Sequence, residues 1–209
     1  MAIFRIKTLP LYPIDLPKRY TVGASYIIHS DTNIFFYFYT IPIMIEVTDT
    51  ALRQAASEGM DAFIAVFTDA ALQAVEGNLT AETMMRLNAD QHTLLAYRIL
   101  RDEVMEGGFC QLIQNGYGAY IFDNPFAKAL RLWGVGDLSK LLYAAKKIYD
   151  ANRADLERER TDEEFMAMYE QYEAFDDLED EFLENEERYT ALVAAYVDDH
   201  LELFAKVVD

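Results

Sequence analysis

From residue 44 onward, apolar side chains recur three and four positions apart, the period of helices that bury one face. Ala62, Phe63, Val66, Phe67, Ala70 and Ala71 form one such stripe. Leu94, Leu95, Ile99, Leu100 and Val104 form a second, and Leu141, Leu142, Ala145 and Ile148 a third. Tyr189, Leu192, Val193, Tyr196, Leu201 and Phe204 close the series. The punctuation between stripes is helical. Thr48 or Asp49 can cap a first helix, and Gly59 interrupts it. Gly77-Asn78 ends the next, and Thr80 can open a short helix to Leu87. Asn88 with Gln91 and Thr161 with Glu164 have capping-box spacing. Asn124-Pro125 reads as a helix start, Gly134 as a stop, and Asp137 as the cap of a segment running from Leu138 to Arg158. No convincing alternating strand follows residue 46, and there is no repeat of solenoid length. The expectation is an all-α fold, a single multi-helix domain over residues 44–209, preceded by an atypical extension over residues 1–43.

That extension differs in kind. It holds Pro10, Pro13, Pro17 and Pro42, carries more base than acid, and ends in the β-branched and aromatic run Ile34 to Tyr39. The apolar stretch Ile34–Ile45 contains Pro42 and is shorter than the roughly 20 residues that a bilayer-spanning helix needs. It also comes too late for a signal peptide and lacks a small-residue cleavage site. Three readings remain: targeting or membrane contact against these objections, Met44 as the natural start with a misassigned segment upstream, or a short strand or arm packed on the main domain. Left exposed, Ile34–Tyr39 would be prone to aggregate.

Charge narrows the function. Lys plus Arg number 18 against 36 Asp plus Glu, a formal net charge of -18. With 52% hydrophobic and 26% charged residues the chain is globular rather than disordered. A surface this acidic argues against direct binding to nucleic acid or to an anionic membrane and admits a basic partner. A lone cysteine excludes an internal disulfide and suits a reducing, cytoplasmic compartment. The acids concentrate between residues 161 and 187, where thirteen occur without one Lys or Arg. On a helical wheel Glu170, Glu173, Asp177, Asp180, Glu181 and Glu184 share a sector, while Phe165, Met168, Tyr172, Phe175, Leu178 and Phe182 fall opposite. If the helix runs unbroken, this is a ridge. With Glu163, Glu164 and Asp176 it is the candidate partner-binding surface, unless it serves solubility alone.

A second feature is Glu103-Val104-Met105-Glu106-Gly107-Gly108-Phe109-Cys110-Gln111, followed by Asn115-Gly116. Paired glycines permit a left-handed turn and a sharp corner between helices. Phe109 can then enter the core, with Gln111 and Asn115 four apart on one helix face. The pattern Glu-Val-x-x-Gly-Gly-Phe-x-Gln resembles a bacterial family of all-helical acidic domains that includes a DNA-mimic protein. Glu103, Val104, Gly107, Gly108, Phe109, Gln111 and Asn115 meet that pattern. Phe126-Ala127-Lys128-Ala129-Leu130 and the stretch from Phe175 to Phe182 extend the resemblance to about residues 48–205. Glu106 departs from it, since the family more often has Asn before the glycines. The resemblance implies a non-enzymatic and often dimeric protein whose acidic surface occupies the DNA-binding face of a transcription regulator.

Two alternatives stand beside this reading. One is an immunity-type protein that neutralises a basic toxin. The other is a small enzyme or metal-binding domain around Cys110, His92 and Glu103. No metal-ligand, phosphate-loop or dinucleotide spacing supports the latter, so no cofactor is expected.

Overall fold

The computed structural model describes residues 24–30, 33–39, 43–77 and 81–209. The chain divides into two units, residues 1–41 and 42–209. In the first, strands β1 (Ala24–Ser30) and β2 (Asn33–Tyr39) pair antiparallel, from Ala24 opposite Tyr39 to Ser30 opposite Asn33. The basic and proline-rich positions before residue 24 lie outside the described residues, as do Asn78 and Thr80.

The second unit runs β3 (Glu46–Thr48), α1 (Asp49–Glu58), α2 (Met60–Ala74), α3 (Ala81–Met84), α4 (Ala89–Gln114) and α5 (Gly118–Phe122). It continues with α6 (Phe126–Leu132), α7 (Gly136–Leu156), α8 (Asp162–Gln171), α9 (Asp176–Asp199), α10 (Leu201–Phe204) and β4 (Lys206–Val208). The fold is all-α. The local chemistry behaves as the spacing predicts: Thr48 caps α1, Asn88 and Gln91 complete a capping box on α4, and Thr161 and Glu164 complete one on α8. Helix α7 instead starts at Gly136, so Asp137 lies in its first turn and bonds Lys140 and Arg188 rather than capping the helix.

Helix α4 is the central element and touches α2, α5, α6, α7, α9 and α10. Its Leu94, Tyr97, Leu100, Phe109 and Leu112 are fully buried, as are Leu138 and Tyr149 of α7 and Phe182, Tyr189 and Val193 of α9. Leu192 is 37% exposed instead. Trp133 stacks on Tyr196, and both meet Phe204 edge-on, which fixes the end of α9 against α10. One polar chain crosses this core. Tyr97 Oη and Thr190 Oγ1 lie 2.7 Å apart, Thr190 donates to Glu186 Oε1 at 2.7 Å, and Arg101 Nε bonds the same carboxylate.

The absence of strands after residue 46 does not hold. Glu46–Thr48 pairs in parallel with Lys206–Val208, and Lys206 N donates to Ile45 O at 2.8 Å. Asn88 Nδ2 and Gln91 Nε2 bond the carbonyls of Leu203 and Phe204, delivering the C-terminal strand to β3. Three-residue strands joined across most of the chain leave no periodicity to read.

Candidate functional site

The two acid-bearing helices sit on the double-glycine corner. Helix α4 is continuous except at Gly107 (φ -157°, ψ 23°) and Gly108 (φ 71°, ψ -170°). The positive φ at Gly108 disfavours other residues, and a Cβ there would overlap the Glu179 carboxyl group. A Cβ on Gly107 would run into the Gln111 side chain. The corner drives Phe109 into the core, with its ring 5.3 Å from Phe175 and 6.1 Å from Phe122. On the outer side, Gln111 and Asn115 both donate to Glu103 Oε2, at 3.1 and 2.8 Å, and Gln111 also reaches Glu106. The motif is therefore built into the architecture: the glycines turn the chain, Phe109 anchors the turn in the core, and Glu103, Gln111 and Asn115 brace it from outside.

The ridge is not one helix. Helix α8 stops at Gln171, Tyr172 leaves helical geometry (φ -115°, ψ 38°), and a 3-10 turn over Glu173–Phe175 leads into α9. At the break the chain is tied to α7. Asp155 accepts from Tyr172 Oη at 2.5 Å, from Gln171 Nε2 at 3.1 Å, from Arg158 Nε at 3.0 Å and from Arg160 Nη2 at 2.7 Å. These bonds, with Tyr172 and the arginines, hold its carboxyl below the usual aspartate range. The aromatic side of the ridge does dock as expected, since Met168, Tyr172, Phe175 and Phe182 are buried and Phe165 and Leu178 are half-buried.

The thirteen acids between residues 161 and 187 fall into two groups. Three are engaged. Glu164 closes the capping box and pairs with Arg158 at 3.1 Å, which lowers its pKa. Glu186 is buried and bonded to Arg101 and Thr190; burial alone would raise its pKa, and these partners overcome that and lower it. Glu179 turns inward and accepts the Phe109 N–H at 2.7 Å. Burial pushes its carboxyl up, the Phe109 bond opposes, and Asp176 and Asp180 add to the rise.

The other ten are Asp162, Glu163 and Glu170 on α8, Glu173 in the turn, and Asp176, Asp177, Asp180, Glu181, Glu184 and Glu187 on α9. All are exposed, and none forms an ion pair among the described residues. Their spacing on α9 sets them on the face opposite Phe182, Tyr189 and Val193. Of the nine acids named from the sequence as a partner surface, Glu164 is paired with Arg158 and the other eight are exposed, and Asp162 and Glu187, outside that named set, are exposed beside them. The sequence reading missed two apolar residues that break the face: Met166 is 65% and Leu183 48% exposed. Met166 lies between Glu163 and Glu170 in sequence register, and Leu183 between Asp180 and Glu187.

The other candidate chemistry is dispersed. Cys110 is buried, and burial with the nearby Glu179 charge pushes its thiol up to about 12. The His92 ring is 2.7 Å from the Met84 carbonyl oxygen and 3.4 Å from Tyr120 Oη. Eighteen residues of α4 separate His92 from Cys110, on the order of 27 Å along a helix. No group of three or more acidic, His or Cys side chains among the described residues could hold a metal ion. No helix among them is long and apolar enough to cross a membrane.

The model of the DMP19-like protein family matches residues 85–200, from the start of α4 to the end of α9. DNA mimic protein DMP19 of Neisseria meningitidis serogroup B is 35% identical over 127 residues, which cover 60% of this chain and 77% of that protein. The match takes in both the glycine corner and the acidic face, and the chain belongs to the DMP19-like protein family.

Proposed function

We propose that this protein is a DNA mimic that occupies the DNA-binding surface of a basic DNA-binding protein, such as a transcription regulator, through the α8–α9 acidic face. One observation carries the reading: ten exposed acids follow one another over two helices and a turn with no cation among them. Unrelieved like charge at helical spacing costs a few tenths of a kcal/mol per pair, so a stable fold has no internal reason to keep it. A partner that supplies the missing cations gives it one. Membership of a family that includes a protein named for DNA mimicry favours a DNA-binding protein as that partner over a toxin.

The density of charge also bears on the fit. Acids on one helix face recur about once per 5.4 Å turn, whereas duplex DNA has one phosphate per about 1.7 Å of axis. One helix is too sparse. Two acid-bearing arms, or two copies of the chain, come closer to the density of a duplex.

The test is capture of basic proteins from a lysate of the source cells at low salt, with elution along a salt gradient. A parallel run uses the quadruple variant Glu170→Gln, Glu173→Gln, Asp177→Asn, Glu181→Gln. A retained protein is then offered duplex DNA. Mimicry requires that DNA and the acidic protein displace each other, and that the variant neither binds nor displaces. Simultaneous binding of both, or equal retention by the variant, refutes the proposal.

A further inference from the structure

Both acid-bearing arms are tied to the same few backbone atoms. Tyr169, on α8, donates its hydroxyl to the Gly107 carbonyl at 3.0 Å. Glu179, on α9, accepts the next corner amide, Phe109 N–H, at 2.7 Å. Between these two bonds lies Gly108, whose missing side chain leaves the space that the Glu179 carboxyl group fills. Of the acids on α9, Glu179 and Glu186 turn away from the partner face, and Glu179 does so beside Asp176 and Asp180 at an electrostatic cost.

A carboxylate held inward against its charged neighbours acts by holding position. The N–H it accepts is at the corner that seats Phe109 in the core against Phe175. Glu179 fixes the height of α9 on that corner, and Tyr169 does the same for α8. The linker between the arms cannot do this alone, because it is a turn of 3-10 geometry rather than continuous helix.

We propose that Glu179 and Tyr169 are positioning residues of the acidic face: through Gly107–Phe109 they set the spacing between the α8 and α9 acids that a basic partner reads. The paired glycines then serve the partner surface as well as the core. This rests on the mimic reading for its purpose, while the spacing itself is measurable without a partner.

The experiment places nitroxide labels on Met166→Cys and Leu183→Cys, both exposed and one on each arm. The single native Cys110 is buried with its thiol pushed up to about 12, so it does not compete for label. Distances are measured by pulsed electron spin resonance. The parent and Glu179→Gln, which keeps an acceptor for Phe109 N–H, should give the same narrow distribution. Glu179→Ala, Tyr169→Phe and Gly108→Ala should each shift or broaden it. Helical circular dichroism is recorded on every sample, and if Gly108→Ala does not fold, the Glu179 and Tyr169 variants decide. An unchanged distribution in both Glu179→Ala and Tyr169→Phe overturns the proposal. So does a Glu179→Gln distribution as broad as that of Glu179→Ala. Either result leaves the capture experiment on the exposed acids unaffected, so the two ideas fail separately.

Discussion

Helices α7 and α9 are similar in length and pack on each other, yet they treat their acids in opposite ways. On α7, Asp137 bonds Lys140 and Arg188, Asp150 bonds Lys146, and Asp155 gathers Arg158 and Arg160. On the first half of α9, with α8 before it, the exposed acids except Glu164 have no cation partner among the described residues. Composition does not separate these cases, because both helices are simply polar on one side. The neighbours do. Lys and Arg lie three or four positions from the acids of α7, whereas between residues 161 and 187 there are none. Acid on α7 is structure; the ten exposed acids from Asp162 to Glu187 are charge without an ion pair among the described residues, held in place by structure.

The largest expected effect breaks this contrast directly. Neutralising Glu170, Glu173, Asp177 and Glu181 removes four exposed charges, each worth about 0.5–1 kcal/mol to a basic partner. Affinity should fall by roughly 30- to 1000-fold, with the melting temperature unchanged or slightly raised as repulsion is relieved. The matched quadruple variant joins Asp137→Asn, Asp150→Asn and Asp155→Asn with Asp123→Asn, whose carboxylate pairs with Lys146 and Arg153 of α7, and should do the reverse: it lowers the melting temperature and leaves the affinity alone. Titration calorimetry with the captured partner and thermal melts of both variants check the pair. Equal loss of affinity in both would mean that only total charge matters.

A sharper contrast lies between two adjacent residues of α9. Glu186 is buried against Arg101 and Thr190, while Glu187 is exposed and unpaired. Glu186→Ala leaves the buried Thr190 hydroxyl without its acceptor and takes from Arg101 its buried partner, and should cost about 2–3 kcal/mol. Glu187→Ala should stay within about 0.5 kcal/mol. Urea denaturation measures both, and similar costs would remove the distinction between engaged and free acids on this helix.

Apolar residues within the charged face refine it further. If a partner covers Met166 and Leu183, truncating either to Ala should weaken binding about five- to tenfold, near 1 kcal/mol of lost apolar burial. The slope of affinity against salt should stay the same, because no charge is removed. Affinity measured at several salt concentrations separates this from the acid variants, which should flatten the slope. No change for either Ala variant would leave the face purely electrostatic.

What the sequence disclosed divides along the distance between interacting residues. The capping boxes at Asn88 and Thr161 and the glycine corner were legible because each partner lies within a few positions. The buried aromatic side of α8 and α9 was legible from its period. The break at Tyr172 was not, since neither Gly nor Pro marks it and the Asp155 carboxylate that Tyr172 bonds there is 17 residues away on another helix. Pairing of β3 with β4 spans 160 residues between Glu46 and Lys206. The inward turn of Glu179 was hidden for a similar reason: its partner is a backbone amide 70 residues earlier, and on the wheel it is one more acid.

The pH dependence of Glu179 gives the smallest effect and a sign that distinguishes it from the other engaged acids. Burial, Asp176 and Asp180 raise its pKa in the folded state, with Phe109 N–H opposing. From other elements, Tyr169 on α8 and Cys110 on α4 sense the Glu179 charge. A raised carboxyl favours the fold when protonated, so its stabilising contribution is present at acid pH and lost as pH rises through the folded value. Asp155, Glu164 and Glu186 have lowered values, and their contribution is lost in the other direction, as pH falls. Glu179→Gln keeps the acceptor and removes the charge. It should therefore be more stable than the parent at neutral pH by a few tenths of a kcal/mol, given the partial exposure of the site. That advantage should shrink as pH drops toward the ordinary glutamate range, whereas any effect of Glu186→Gln should shrink only at lower pH. Urea denaturation from pH 7 to pH 3 traces both curves. An advantage of Glu179→Gln that grows on acidification would mean that the carboxylate, once charged, is a net stabiliser of the corner rather than a charge held there for position.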